Sequence, residues 1–140
     1  MSLDEQPRMV RALREAMSRA QGTEVLLIET HISFVLVGTE YAWKIKKALK
    51  TAFLDQSTLA LRRHACAEEL RLNRRLAADL YLGVVEITGS LDAPVLLAGA
   101  PPSRDGRRSS RSRDGRVIDY AVKMRRFPQE VTRKREKVQA

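Results

Sequence analysis

Apolar positions follow two different periods along this chain, and the two periods predict its helices and strands. Between residues 7 and 20 they recur every three or four positions, as on one face of a helix, and Gly22 is placed to end that helix. Elsewhere they form short runs rich in strand-forming residues and bounded by turns or polar connections. The runs that predict strands are residues 25–29, 34–37, 41–47, 84–88, 95–97 and 117–124.

The first three of these strands form a predicted meander, with a tight turn at residues 38–40. Because side chains alternate along a strand, Ala42, Lys44 and Lys46 share one face of the third strand. The other face carries Tyr41, Trp43, Ile45 and Lys47. The pattern therefore places two lysines side by side on one face of a sheet.

A long helix is predicted to run from Ser57, a suitable N-terminal cap, to about Leu80. Its apolar face is formed by Leu59, Cys66, Leu70, Ala77 and Leu80, and is widened by Leu72 and Leu76. This face predicts packing of the helix against the sheet.

Two neighbouring glutamates of this helix have different predicted surroundings. Glu68 shares its side with Arg71, as in a row of ion pairs that faces solvent. Glu69 shares its side with Leu72 and Leu76, at the border of the apolar face. A carboxylate that points partly inward needs a cationic partner, so Glu69 rather than Glu68 is the candidate for a site.

These elements predict an α+β fold with one five-stranded, mainly antiparallel sheet, one long packing helix and an N-terminal helix. A length of 140 residues, 44% hydrophobic and 31% charged, fits a single globular domain. We expect this domain to span residues 1–128, with a mobile insert rich in Arg, Ser and Gly at residues 98–116. Residues 129–140 form a predicted basic tail.

The sequence offers no sign of a membrane, secretory or metal-binding segment. No apolar run approaches the ~20 residues that cross a bilayer, and the N-terminal residues lack the apolar core of a secretory signal. The single Cys66 excludes an internal disulfide and fits a reducing compartment. His31 and His64 have no second ligand type at usable spacing. We therefore expect a cytoplasmic protein without a metal site of its own.

The net charge of +9 favours anionic partners, but much of it is local. The insert contains Arg104, Arg107, Arg108, Arg111, Arg113 and Arg116. A small basic protein that binds nucleic acid through this insert is therefore one alternative, with an affinity that falls as salt rises. The insert has no aromatic residue on which bases could stack, which makes nucleic acid the less favoured partner.

The order of these parts resembles the smaller lobe of the protein-kinase-like fold. The shared parts are a meander, a lysine near the end of its third strand, a helix with one inward glutamate, and further strands. The chain is more specifically similar to bacterial aminoglycoside phosphotransferase-like proteins, over residues 24–128 with an interruption at the insert. The matching blocks are residues 29–33, 41–47, 68–76, 81–85 and 120–128. Many proteins of this type also carry a phosphate-binding-loop ATPase domain downstream.

This resemblance implies a cleft that binds ATP with magnesium. Residues 41–44 look like the apolar-Ala-apolar-Lys pattern in which the lysine holds the nucleotide phosphates and a helix glutamate fixes the lysine. Ala42 and Met124 would line the adenine pocket, and the backbone of residues 125–127 would bond to the base. The implied nucleotide-binding residues are Ala42, Lys44, Glu69, Met124, Arg125, Arg126 and Phe127.

The chain departs from the family pattern in two places. Residues 30–33 stand where a Gly-rich phosphate loop is expected, which makes His31, Ser33 and Lys46 candidate phosphate contacts. After Pro128 nothing offers a His-x-Asp or Asp-Phe-Gly sequence. We therefore expect no catalytic residue in this chain and no phosphoryl transfer by it alone. Such an ending is typical of a truncated or frame-shifted gene product, or of a fragment.

Simpler interpretations compete with the nucleotide site. Lys44 can be a solvated strand lysine, His31 a turn residue bonded to backbone, and Cys66 a small core residue. A third function is a non-catalytic interaction domain. The underside of the sheet would then be an exposed apolar lobe face, through which the chain self-associates.

Overall fold

The computed structural model describes residues 1–97 and 116–126. In these ranges the chain forms two helices and six strands. They are α1 (Gln6–Gln21), β1 (Leu26–Glu29), β2 (Ser33–Val37), β3 (Tyr41–Lys46), α2 (Leu59–Ala77), β4 (Tyr81–Gly89), β5 (Pro94–Leu96) and β6 (Val117–Arg125). The predicted α+β class is confirmed. The predicted insert apart from Arg116, and the predicted basic tail, lie outside the described residues.

The sheet has six strands rather than the predicted five, in the order β1-β2-β3-β6-β4-β5. All of its neighbouring strands pair antiparallel. All six apolar runs that predict strands join this one sheet, so the prediction was wrong in the number of strands assigned to it and not in the runs themselves. The shortest strand, β5, pairs with the end of β4 at the sheet edge.

Helix α1 covers one face of the sheet. Its buried residues Met9, Val10 and Leu13 pack with Phe34, Leu36, Ile45 and Ile87 in the larger hydrophobic core. The helix ends where expected, because Gly22 takes the left-handed conformation with φ of 83° and donates its N–H to the carbonyl of Ser18. The apolar stripe of residues 7–20 is therefore a packing face, as predicted.

Helix α2 covers the opposite face, over a smaller core that contains Ala42, Cys66, Tyr120, Val122 and Met124. The N-cap is Thr58 rather than the predicted Ser57, since the Oγ1 of Thr58 accepts the N–H of Leu61 at 3.1 Å. The expected widening of the apolar face was wrong for two residues. Leu72 and Leu76 are 50% and 87% exposed.

A buried polar network joins both helices to the centre of the sheet. The Nε of Arg62 on α2 donates to Oδ1 of Asp119 on β6 at 2.9 Å, with both side chains almost fully buried. The Nε2 of Gln6 on α1 donates to Oδ2 of Asp119 at 2.8 Å and to the carbonyl of Lys46 at 2.8 Å. Arg62 also donates to the carbonyl of Gln56. Each of these groups therefore has the partner that burial demands.

Candidate functional site

Glu69 lies between two lysines where α2 crosses the face of β3. The Nζ of Lys44 donates to Oε2 of Glu69 at 2.8 Å, and the Nζ of Lys46 bonds to Oε1. The exposed fraction of the side chain is 28% for Lys44, 13% for Glu69 and 9% for Lys46. The predicted alternation of β3 is confirmed, and the predicted cationic partner of Glu69 is found twice over.

The charges of this lysine–glutamate cluster (Lys44, Lys46 and Glu69) do not cancel. Burial raises the pKa of Glu69, but hydrogen bonds and charge from Lys44 and Lys46 outweigh it, and the net pKa lies below its ordinary value. The carboxylate is therefore ionised at neutral pH. Two ammonium groups against one carboxylate leave a net charge of about +1 at a partly enclosed point, which favours an anion.

Local sequence explains why Glu69 faces the sheet. Cys66 lies three residues earlier on the same helix, one turn away, and is fully buried in the smaller core. Burial raises the pKa of the Cys66 thiol to about 12, so this side chain remains a neutral packing group. With Cys66 anchored, the side chain of Glu69 is directed to the lysines of β3.

The residues implied to line an adenine pocket come together beside Lys44. Ala42 on β3 pairs in register with Met124 on β6, and Lys44 pairs with Val122. Ala42 and Met124 are both buried in the core beneath α2, together with Tyr120. The small side chain of Ala42 and the flexible one of Met124 thus form an apolar wall next to the charged cluster.

The segment implied to bond to the base has its N–H groups engaged elsewhere. Arg125 donates its backbone N–H to the carbonyl of Leu80 at 2.8 Å, and Arg126 donates its own to the carbonyl of Glu40 at 2.9 Å. The guanidinium of Arg126 donates to the carbonyl of Gly38 at 3.0 Å. Phe127 lies beyond the part of the chain that the structure describes. Contact of residues 125–127 with a base stays a prediction, and it cannot use these two N–H groups without their release.

The two candidate phosphate contacts before β3 lie in different surroundings. His31 is exposed in the turn between β1 and β2, where it lines an open depression with its neighbours and Lys47. Ser33 is buried, and it pairs in register with Lys46, on the face that α2 covers. The backbone N–H of Ser33 donates to Oγ1 of Thr30 at 3.0 Å, which shapes the turn. Among the described residues, those lining the depression do not include Lys44, Lys46 or Glu69.

The sequence-based reasoning missed the buried pair of Arg62 and Asp119. Two signals were available. Arg62 precedes Cys66 by four residues and therefore shares its face of α2, and Asp119 interrupts an apolar strand. Burial raises the pKa of Asp119, while the Arg62 charge and hydrogen bonds from Gln6, the Tyr120 N–H and Arg62 act against that rise. The pair is a structural support beneath the cluster.

The outer side of α2 is apolar where Leu72 and Leu76 follow Glu69 along the helix. Self-association through an exposed apolar face stays a prediction. No helix within residues 1–97 or 116–126 combines the length and apolar character needed to cross a bilayer.

Comparison with known proteins leaves the family open. No family model matches the chain, and no solved structure matches it. The chain is similar to an uncharacterized protein of Mycobacterium bovis and to uncharacterized proteins of two Mycobacterium tuberculosis strains. Each is 42% identical over 60 residues, which are 43% of this chain and 12% of the relative. The matched part is thus a small fraction of each relative's length.

Proposed function

We propose that this chain is a nucleotide-binding lobe that receives the phosphates of ATP at Lys44. The observation that carries the proposal is the ion pair between Lys44 and Glu69, 2.8 Å long, beside the apolar wall of Ala42 and Met124. Protein kinases use a strand lysine paired with a helix glutamate to hold nucleotide phosphates. The family resemblance of residues 24–128 supports the same assignment.

Charge and exposure favour Lys44 as the group that meets the ligand. It is the more exposed of the two lysines, and it shares its carboxylate partner with Lys46. An ammonium group forms strong hydrogen bonds to phosphate oxygens. The free-energy cost of moving Lys44 away from Glu69 is reduced because Lys46 still neutralises the carboxylate. The net positive charge of the cluster supplies the attraction.

The apolar wall suits the base of a nucleotide. Ligand sites are mostly apolar, with a few polar groups that fix the orientation. Ala42 and Met124 lie on the same face of the sheet as Lys44, next to the charged cluster. Both are buried beneath α2, so a base that contacts them must displace part of their present packing.

The described residues fit the phosphates of ATP but not its magnesium ion. Magnesium prefers carboxylate oxygens, and both oxygens of Glu69 are bonded to lysines. The proposed function is therefore binding of the nucleotide phosphates without their transfer.

Calorimetric titration with Mg-ATP tests the proposal. The wild-type chain should bind weakly, and Lys44→Ala should weaken binding about 10- to 100-fold, the loss of one charge-assisted hydrogen bond. Glu69→Ala should also weaken binding, because Lys44 loses the group that orients it. Lys123→Ala is the matched control: Lys123 lies on the neighbouring strand, pairs with Trp43 and contacts the ring of Tyr41, on the opposite face.

Two results would overturn this function. One is the absence of any binding heat from the folded wild-type chain. The other is equal affinity of wild type and Lys44→Ala, which would reduce the ion pair to a support of the fold.

A second candidate is nucleic-acid binding through the six arginines between residues 104 and 116. Its signature is binding to mixed oligonucleotides that weakens steeply with salt. Deletion of residues 103–116 should abolish that binding and leave Mg-ATP binding intact. Persistence of oligonucleotide binding after the deletion would rule out the insert as its source.

A further inference from the structure

Lys46 lies deeper in the lysine–glutamate cluster than a phosphate ligand needs to lie. Its side chain is 9% exposed, a third of the exposure of Lys44, and its Nζ bonds to Oε1 of Glu69. Its backbone carbonyl accepts a hydrogen bond from the side chain of Gln6 at 2.8 Å. Lys46 is thus fixed both by a bond to its side chain and by a side-chain bond to its backbone carbonyl. For Lys44, the side-chain bond described is the one to Oε2 of Glu69.

Movement of Lys44 to a phosphate would cost Glu69 one of its two partners. A largely buried carboxylate without a cation has an unfavourable free energy. Its pKa therefore rises, and it tends to take up a proton. With Lys46 still bonded to the other oxygen, Glu69 stays neutralised. The two lysines therefore differ in role, although they lie on the same face of one strand.

We propose that Lys46 is a positioning residue that keeps Glu69 charged and in place while Lys44 bonds to the phosphates of the ligand. This inference rests on the proposed function and refines it. It replaces the expectation that Lys46 itself contacts phosphate.

The surroundings of Glu69 leave Lys46 as the group suited to this role. Lys44 and Lys46 on β3 are the cations bonded to it within the described ranges. On α2, Arg62 is engaged by Asp119 of β6, and Cys66 is a neutral thiol. When Lys44 departs, Lys46 is the remaining counter-charge.

Proton uptake separates positioning from a purely structural role. In the wild type, binding of Mg-ATP should move no proton to Glu69, because Lys46 compensates its charge. In Lys46→Met, withdrawal of Lys44 leaves the carboxylate without a cation and raises its affinity for a proton. Binding should then take up a fraction of a proton per ligand beyond the wild-type value, and the fraction should grow as pH falls.

The experiment is calorimetric titration of the full chain with Mg-ATP in two buffers of different ionisation enthalpy, from about pH 6 to about pH 8. The dependence of the heat on the buffer gives the number of protons taken up. Lys46→Met should bind about 10-fold more weakly at the upper pH and approach the wild type at the lower pH. Lys46→Arg should restore wild-type behaviour, and Lys123→Met should match the wild type throughout.

The possible outcomes have distinct meanings. No binding by the wild type overturns the proposed function, and this inference with it. Wild-type binding together with a Lys46→Met variant that binds equally and takes up no proton overturns the positioning role alone. Weaker binding by Lys46→Met without proton uptake at any pH makes Lys46 a direct phosphate contact, which also overturns it.

A measurement on the wild type decides the matter if Lys46→Met does not fold. Nuclear magnetic resonance of nitrogen-15-labelled lysine side chains follows both ammonium groups as Mg-ATP is added. We expect the Nζ signal of Lys44 to shift and that of Lys46 to stay. A shift of Lys46 as large as that of Lys44 would overturn the inference.

Discussion

Glu69 keeps its charge in a largely buried position because two ammonium groups bond to it. Burial alone raises the pKa of its carboxyl, and the hydrogen bonds and charge of Lys44 and Lys46 bring the net pKa below the ordinary value. The ionised carboxylate of Glu69 therefore contributes to the free energy of unfolding. Because only the ionised form makes this contribution, it depends on pH.

Replacement of Glu69 by Gln tests this link. Because the folded-state pKa is lowered, the contribution of Glu69 is fully present above its unfolded pKa of about 4.3 and is lost as pH falls through the folded value. At neutral pH, Glu69→Gln should lower the free energy of unfolding by about 1–2 kcal/mol, allowing for solvent near Lys44. Urea unfolding at about pH 7 and at about pH 3 measures the difference, which should be smaller at the lower pH.

Glu68→Gln is the control for this measurement. Glu68 also has a lowered pKa, through hydrogen bonds from Arg71, but both side chains are well exposed. Its replacement should change stability much less than that of Glu69. Equal effects at the two positions would mean that the pairing with the lysines of β3 adds nothing to the fold.

Among individual residues, a cationic partner for Glu69 was predicted from the sequence, whereas the buried ion pair of Arg62 was not. Glu69 was predicted to have a cationic partner because Leu72 and Leu76 on its side were expected to be buried. Those two residues are exposed, yet Glu69 does pair with Lys44 and Lys46. Arginine is mostly exposed in proteins, so only its partner reveals a buried one. The partner of Arg62 is Asp119, 57 positions along the chain. No local pattern brings those two residues together.

Two glycines with positive φ end a helix and a strand under different constraints. Gly22 ends α1 with φ of +83°, and a Cβ there would meet nothing within 4 Å. Gly89 ends β4 with φ of +97°, and a Cβ there would lie 2.4 Å from the carbonyl oxygen of Ala93. The turn into β5 therefore needs glycine both for its positive φ and for the close approach of Ala93, whereas the end of α1 needs it only for its positive φ.

Alanine at each position separates those reasons. Gly22→Ala should lower the free energy of unfolding by about 1–2 kcal/mol, the strain of a left-handed backbone at a residue with a Cβ. Gly89→Ala should cost more, because the backbone at Ala93 must also move. Urea unfolding of the two variants gives the comparison. An equal decrease in the free energy of unfolding for both variants would show that the backbone at Ala93 moves without a measurable energetic penalty.

At the scale of elements, types were predicted better than boundaries. Helices with a long periodic stripe and runs of strand formers could be recognised locally. The cap of α2 shifted from Ser57 to Thr58, since adjacent hydroxyl residues both satisfy the capping pattern. Strand β5 was recognised as a short apolar run at residues 95–97, and its bounds shifted to Pro94–Leu96.

One buried carboxylate, that of Asp119, connects both helices to the sheet. Asp119 accepts hydrogen bonds from Arg62 of α2 and Gln6 of α1 while it lies on β6. The two helices cover opposite faces of the sheet, so this network fixes both relative to the centre. It also supports the strand end that carries Lys46, through Gln6.

Removal of one partner should damage the fold more than removal of both. Arg62→Met leaves Asp119 buried without its cation and should lower the free energy of unfolding by about 3–5 kcal/mol. Arg62→Met combined with Asp119→Leu should cost less than Arg62→Met alone, and Gln6 keeps its bond to the carbonyl of Lys46. Urea unfolding measures both.

Arg71→Met serves as the control, because its pair with Glu68 lies in solvent. It should change stability far less than Arg62→Met. A double variant as unstable as the sum of its single changes would contradict the view that the unpaired charge causes the damage.

The position of β6 has a consequence for how this protein folds. Of the strands in the described ranges it comes last in sequence, yet it lies between β3 and β4 and pairs with both. Until it is added, the described strands can form only the meander β1–β2–β3 and the hairpin β4–β5, and an isolated two-stranded hairpin is at best marginally stable. Joining them requires contacts between distant positions, which slows folding. The arginine-rich segment before β6 adds little to that delay, since the entropy of closing a loop grows only with the logarithm of its length. A ribosome must therefore release the segment that follows the insert before the sheet can close.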